Sequence, residues 1–142
     1  MRTREQIAAL IPHQGLMCLW DEVVAWDASS IQLRAQGHRD EHHPLRNGEQ
    51  LHAVHLCEYG AQAMAVHGGL RAREAGGTAR PGLLVALRNV KLHVSRIDDL
   101  PGPIECHATV LIDSDSGWQY GFRLQHGGSL LAEGRAAVML QD

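Results

Sequence analysis

The 142-residue sequence contains few cysteines, few aromatic residues and no long apolar run. Its three cysteines, Cys18, Cys57 and Cys106, are odd in number and form no C-x-x-C pair. This pattern favours reduced thiols in a cytoplasmic protein over a disulfide framework. No stretch approaches the roughly 18 consecutive apolar residues of a membrane span. The start has only a short apolar run before Pro12, so no signal peptide is indicated and we expect a soluble cytoplasmic protein.

The sequence also lacks a strong charge of either sign. The formal net charge is -3, so there is no overall basic field of the kind that nucleic-acid binders use. The balance is not acidic enough to indicate a disordered tail. The length suits one domain over residues 1–142, large enough to form a core without disulfides or a metal. No internal repeat or low-complexity segment interrupts it.

The N-terminal third shows the signals of a short helix and a hairpin. Residues 3–10 predict a helix, with Thr3 as the N-cap and Gln6 three residues later. Two apolar runs, 17–26 and 31–35, lie on either side of a turn-like Asp-Ala-Ser-Ser, which predicts an antiparallel hairpin.

A polar loop and a long helix follow. Residues 37–50 are polar and contain glycine and proline, which predicts a long loop of a kind that is often functional. The segment after this loop is rich in alanine, leucine and methionine, which predicts a helix from about residue 51 to 67, ended by Gly68 and Gly69.

The remaining residues predict four strands without intervening helices. The strand-like runs are 83–94, 104–112, 118–125 and 129–140, the last two joined around Gly127–Gly128. Successive strands of this kind pair in an antiparallel sheet, and one long helix needs a sheet to cover it. The expected fold is α+β, an antiparallel sheet wrapped around one long central helix, in the element order of the hotdog fold.

The predicted long helix carries the chemical signal. It is apolar or small on all sides, which is typical of a buried helix. His55, Glu58 and Gln62 nevertheless form one polar line at i, i+3 and i+7. A carboxyl group in apolar surroundings is suited to acid–base catalysis because its pKa rises. The alternative is that Glu58 lies at a wet edge, or is satisfied by His55 or Gln62 without further function.

Three segments together resemble the 3-hydroxyacyl-(acyl carrier protein) dehydratases. HLCEYGAQAMA is similar to that family's helix, with Glu58, Ala61 and Gln62 at its E-x-x-A-Q positions. IPHQGLMCLWDEVV resembles the family's opening motif, and SRIDDLPGPIECHATV resembles the segment leading into its fourth strand. The ordered matches run from about residue 10 to 112. The divergent type encoded in aryl-polyene gene clusters is the most similar.

The resemblance implies a hotdog fold, a dimer and the removal of water from a 3-hydroxyacyl thioester on an acyl carrier protein, without a cofactor. In the family a histidine removes the α-proton, a carboxylic acid assists departure of the hydroxyl, and the two come from different subunits. Glu58 matches the acid. The loop DEHHPLRNGEQ stands where the family has G-H-F-P-G, so His43 is the first candidate base, ahead of His42, and His13 is its replacement.

Four further residues are assigned supporting roles by position. Ala53 and Val54 stand at the helix start, where the family has a backbone N–H that polarises the thioester carbonyl. Gln62 orients the carboxyl group or holds the neighbouring loop, and His55 tunes Glu58. The alternative for Gln62 is a plain hydrogen-bonding partner of the backbone, and the alternative for His55 is a histidine satisfied by packing and one hydrogen bond.

Three other sets of side chains suggest binding roles. Arg71, Arg73 and Arg80, expected between the helix and the third strand, could receive an acidic carrier protein or form a solvated basic face. Ten histidines raise the question of a metal, and His52 and His55 share an i, i+3 relation, but no cysteine or carboxylate accompanies them at a zinc-finger or H-E-x-x-H spacing, and no metal is expected. Candidates for the lining of an acyl pocket, which are core residues by default, are Met17, Trp20, Trp26 and Met64.

Two rival functions remain open. Loss of the G-H-F-P-G loop favours a non-catalytic hotdog subunit that binds acyl chains or stabilises an active partner. The same fold also supports acyl-thioester hydrolases, in which a carboxylate on the helix activates water. Retention of Glu58 and Gln62 favours the dehydratase.

Overall fold

A seven-stranded antiparallel sheet packs one face against a single long helix, which confirms the expected architecture. The computed structural model describes residues 2–12, 15–77, 80 and 82–141. The spatial order of the strands is β1-β2-β3-β5-β6-β7-β4. Their bounds are β1 Arg2–Thr3, β2 Glu22–Trp26, β3 Ser30–Ala35, β4 Gly82–Leu92, β5 Ile104–Asp113, β6 Gly117–His126 and β7 Ser129–Leu140.

Turn chemistry fixes the hairpins where the sequence predicted them. Asp27 Oδ1 accepts hydrogen bonds from the backbone N–H of Ser29 and Ser30, both at 2.9 Å, and closes the β2–β3 turn. Gly127 and Gly128 have φ of 54° and 84°, so both adopt the left-handed conformation that a two-residue hairpin between β6 and β7 requires.

The N-terminal region differs from expectation in detail. Helix α1 spans Arg4–Ala8, and the expected capping box is present between Thr3 and Gln6. The strand predicted to begin at residue 17 begins at Glu22 instead. Residues Gly15–Met17 form a 3-10 turn, because the backbone that follows is held by the long helix rather than by the sheet. The two-residue strand β1, which pairs with β2, was not predicted.

The long helix α2 spans Leu56–Glu74, preceded by a 3-10 turn over Ala53–His55. The predicted end at Gly68–Gly69 is wrong, since the helix continues through both glycines. Arg71 and Arg73 therefore lie in its last turn and not beyond it. None of the helices in the described part of the chain combines the length and apolarity needed to cross a membrane.

The glycines of α2 are places of close approach. A Cβ at Gly60 would lie 2.8 Å from the ring of Phe122, and one at Gly68 would lie 2.5 Å from the indole of Trp118. Both distances are too short for a real contact, so the sheet side chains occupy the space that a larger residue would need. Packing by the sheet outweighs the low helix propensity of glycine here.

Two buried histidines join separate segments of the chain: His67 fastens α2 to β6 and to the β2–β3 turn, and His38 joins two loops. His67 Nδ1 lies 2.6 Å from Tyr120 Oη, and its Nε2 lies 2.6 Å from the Asp27 carbonyl oxygen. His38 Nε2 donates to the Leu100 carbonyl at 2.8 Å. Burial is the largest cause lowering the pKa of both rings from the ordinary value of 6.5.

We expect the free energy of unfolding to fall as the pH drops below 6.5, because the unfolded chain then binds protons that the buried rings resist. Each such histidine adds a slope of up to about 1.4 kcal/mol per pH unit. Urea unfolding between neutral and mildly acidic pH measures this slope. His67→Gln should make the slope shallower, whereas His42→Gln, on a largely exposed side chain, should not. An unchanged slope in His67→Gln would show that burial of His67 does not contribute to the pH dependence of unfolding.

Candidate functional site

A cavity of about 720 Å³ opens beside α2. Its walls come from the chain after α1, from the outer side of α2 and from the ends of strands β4, β6 and β7. Most of the lining is apolar; the polar side chains are Glu58, Gln62 and Arg80. Met17 and Met64 line the cavity as expected, whereas Trp20 and Trp26 do not. An apolar cavity with a few convergent polar groups is the usual form of a small-molecule site.

Glu58 lies at this cavity on the least buried side of α2, in line with Ala61 and Ala65. Its side chain is 52% exposed, so the expectation of a buried carboxyl group is wrong for this chain. The small side chains one and two turns further on leave the space beside the helix open. His55 Nδ1 lies 2.6 Å from Glu58 Oε2, so the two residues form a hydrogen-bonded pair across one helical turn.

His43 turns away from that cavity and into the protein. Its residue exposure is 8%, and its Nε2 lies 2.9 Å from Tyr59 Oη with the two rings stacked. Burial lowers the pKa of His43, and the nearby His55 and Arg46 lower it further. Among the described residues, the cavity lining does not include His43.

The hydrogen bonds of His43 assign its tautomer. The backbone N–H of Leu45 donates to Nδ1 at 3.2 Å, so Nδ1 carries the lone pair. In the neutral ring Nε2 then carries the hydrogen and donates to Tyr59 Oη. Both nitrogens are therefore engaged within the chain, and neither offers a free lone pair for a substrate proton.

Gln62 holds a neighbouring segment rather than the carboxyl group. Its Oε1 accepts from the backbone N–H of Leu19 at 2.6 Å, and its Nε2 donates to the Met17 carbonyl at 2.9 Å. The residue is 4% exposed. Of the two roles considered for Gln62, the geometry corresponds to fastening the segment that forms one wall of the cavity.

The backbone N–H groups of Ala53 and Val54, in the 3-10 turn just before α2, already have acceptors. Ala53 N–H donates to the Ser95 carbonyl at 2.9 Å, and Val54 N–H donates to His52 Nδ1 at 3.0 Å. A thioester carbonyl would have to compete with these bonds for either donor. The Val54 side chain is exposed and that of Ala53 is buried.

The other candidates are dispersed. His13 lies outside the described residues. Arg71 pairs with Asp113, and Arg80 donates to the backbone carbonyls of Asp115 and Gln141. Within the described parts of the chain, no group of three histidine, cysteine or acidic side chains is placed to hold a metal.

Comparison with known proteins assigns the family. The sequence matches the ApeP-like family model, described as ApeP dehydratase, over residues 5–142. The chain belongs to the ApeP-like dehydratase family. This match supports a dehydratase function and the resemblance derived from the helix motif. A search of the curated proteins found no match.

The solved structures most informative for this chain share its fold. The dehydratase heterocomplex ApeI:P from Xenorhabdus doucetiae matches with a TM-score of 0.86 and 20% identity, covering 96% of this chain and 91% of the other. The E. coli PaaI protein from the phenylacetic acid degradation operon matches with a TM-score of 0.60 and 13% identity, covering 83% and 81%. A hypothetical thioesterase with coenzyme A from Streptococcus pneumoniae has a TM-score of 0.61 and 7% identity, covering 84% of each chain.

Sequence reasoning did not single out Trp118 as a cavity residue. It lines the cavity from the second residue of strand β6 and packs on Gly68 of α2. The adjacent glycines in the helix were a usable signal, since a glycine pair inside a helix often marks a close approach. The partner of that approach, 50 residues further on, depends on the sheet register.

Replacing Gln62 with alanine should destabilise the fold by about 2–4 kcal/mol, because the buried Leu19 N–H and the part-buried Met17 carbonyl lose their partner and a void remains. Urea denaturation measures the difference. Glu58→Ala, on the same helix but half exposed, should change stability by less than about 1 kcal/mol. Equal losses of stability in the two variants would show that Gln62 does not fasten the segment that forms one wall of the cavity.

Proposed function

We propose that this chain takes part in removing water from a 3-hydroxyacyl thioester carried on an acyl carrier protein, as one subunit of a hotdog dimer. The observation that carries the proposal is the position of Glu58, a carboxyl group at the mouth of a largely apolar cavity in a chain of the ApeP-like dehydratase family. The apolar lining suits the acyl chain, and the half-exposed carboxyl group suits the reacting end.

Glu58 is the proposed acid. A base removes the proton from the carbon next to the thioester carbonyl, and the electron pair of that C–H bond forms the new double bond. The C–O bond to the 3-hydroxyl breaks, and the Glu58 carboxyl group gives its proton to the departing oxygen, which leaves as water. The bond from His55 holds the carboxyl group in place for this transfer. Solvent restores both protonation states afterwards.

The proposed base is a histidine from the partner subunit. Within this chain, His43 has both nitrogens engaged, with Leu45 and Tyr59. To act as a base, His43 would first have to break one of these bonds. His13 stays a candidate on sequence position alone. A division of the acid and the base between two chains explains why this chain keeps the glutamate while its histidine loop departs from the family pattern.

Strand β4 is the proposed interface. It lies at the free edge of the sheet, pairs only with β7 among the described strands, and offers its other edge for hydrogen bonding. Its large apolar side chains are exposed by 36–53% in the isolated chain, which is unusual for so long a run. They are Leu83, Leu84, Val85, Leu87, Val90 and Leu92. A partner strand added here would cover these side chains.

Charge on β4 favours a different chain over a second copy. The strand carries Arg88 and Lys91 and no carboxylate, and Arg88 stands opposite Arg135 of β7. Two copies meeting edge to edge would bring these cations together, and like charges facing each other across strands are destabilising. A partner with an acidic edge strand would neutralise them. The structurally similar ApeI:P is a dehydratase heterocomplex, which supports a different chain as the partner.

A non-catalytic role for this chain is the second candidate. The occupied N–H groups of Ala53 and Val54 and the engaged ring of His43 favour it. The chain would then stabilise an active partner and bind the acyl group without turning it over. A thioester hydrolase is supported less, since the thioesterase-like structures share only the fold. All three cysteines are free, which suits the cytoplasmic location proposed for any of these roles.

Glu58→Gln should reduce water loss from a 3-hydroxyacyl-carrier substrate by about 10²–10⁴-fold, because the amide keeps the shape of the side chain but cannot donate an acidic proton. Mass spectrometry follows water loss and thioester hydrolysis in the same spectra. Glu74→Gln, an exposed glutamate at the far end of α2, is the matched control and should leave turnover unchanged. Full activity in Glu58→Gln would refute the acid role; free acid as the main product would indicate a hydrolase.

Val85→Asp should weaken association through β4, because an unpaired carboxylate would be buried at the proposed interface. Size-exclusion chromatography with light scattering, on the chain purified with its partner, should show a shift toward the monomer. Ile112→Asp, at an equally exposed apolar side chain on β5, is the control. Dissociation by the control alone would place the interface elsewhere.

A further inference from the structure

We propose that Trp118 closes the far end of the cavity and limits the length of the acyl chain that this protein accepts. The inference rests on the proposed function, since it assumes that the reacting end of the substrate lies at Glu58. Beyond the proposed function, it names the residue that determines substrate length and assigns the substrate to acyl groups of medium length.

The cavity follows α2 from Glu58 past Ala61 and ends where the helix meets two other elements. Ala65 is the last α2 residue in the lining. One turn further, a Cβ at Gly68 would lie 2.5 Å from the indole of Trp118, and a Cβ at Gly69 would lie 2.9 Å from the Leu10 carbonyl oxygen.

The two glycines therefore let the cavity close. Trp118 and Leu10 both line the cavity, and each rests on one glycine of α2. The indole and the N-terminal backbone together form an end wall, and a larger residue at Gly68 would displace the indole away from the helix and into the cavity. The glycine pair, which does not end the helix, is explained by this close approach.

The indole is held on its other sides, so the wall is fixed in place. The Arg71 guanidinium lies 6.0 Å from the indole centroid, within range of a cation–π contact, and Arg71 is itself paired with Asp113. The Tyr120 ring meets the indole edge to face at 6.4 Å between centroids. Tyr120 is in turn hydrogen-bonded to the buried His67.

The distance along the helix sets the length class. Glu58 and Gly68 are ten positions apart, which is about 15 Å along a helix axis. After the thickness of the indole is subtracted, about 10 Å remain, which an extended chain of roughly eight carbon atoms fills at ordinary bond lengths and angles. We therefore expect medium-length acyl groups to be preferred over long ones.

Two substitutions move the wall in opposite directions. Trp118→Leu removes the indole and should lengthen the accepted chain, raising kcat/KM about tenfold for a substrate two methylene groups longer than the wild-type optimum. Gly68→Ala places a methyl group where the indole edge now lies, should displace the ring into the cavity and should shorten the optimum. Trp26→Leu is the matched control, because Trp26 is a half-buried strand tryptophan that does not line the cavity.

The experiment compares these variants on straight-chain 3-hydroxyacyl thioesters of about six to sixteen carbons, and on the binding of free fatty acids of the same lengths by calorimetry. The full chain is used in the oligomeric form in which it is purified. A longer optimum in Trp118→Leu and a shorter one in Gly68→Ala, with Trp26→Leu unchanged, supports the inference. An unchanged length preference in both, in turnover or in binding, overturns it.

The binding measurement separates this inference from the proposed function. If no variant or wild-type protein removes water, the dehydratase proposal fails, but the length dependence of fatty-acid binding still supports or refutes the role of Trp118. If Gly68→Ala does not fold, Trp118→Leu and its control still decide the outcome.

Discussion

The packing of α2 against the sheet is the constraint on which the rest of the structure depends. A helix buried on nearly all sides can approach the strands only where its own side chains are small, and Gly60 and Gly68 provide those places. The same contact determines which side of the helix remains open. That side carries Glu58, Ala61 and Ala65, so the cavity and the carboxylate beside it arise directly from how the helix is covered.

Polar side chains around the helix fasten this arrangement. Gln62 forms hydrogen bonds to the backbone of Met17 and of Leu19. Asp98 accepts a hydrogen bond from the backbone N–H of Leu51, just before the 3-10 turn that leads into α2. The Arg96 guanidinium holds the pKa of Asp98 well below its usual range. His43 completes the set by its bond to Tyr59. Residues in motif positions that suggest chemistry thus act partly as structural clamps.

The sequence was sufficient for the fold because its signals are local. Alternating apolar residues and turn residues such as Asp27 and Gly127 place the hairpins, and the helix motif around Glu58 indicates the family. The bounds of α2, the exposure of Glu58 and the orientation of His43 depend on contacts between distant segments. A pattern read along the chain cannot show that Gly68 meets Trp118, because that contact follows from strand register.

The reverse reaction tests the central claim most directly. By microscopic reversibility, a dehydratase adds water to an enoyl thioester, so in water enriched in heavy oxygen the label should enter the 3-hydroxyl group of the acyl chain. We expect mass spectrometry to find this label with the wild-type protein in its assembled form, and to find almost none with Glu58→Gln. Label only in the carboxyl group of a released acid, or equal labelling by the variant, would contradict the account.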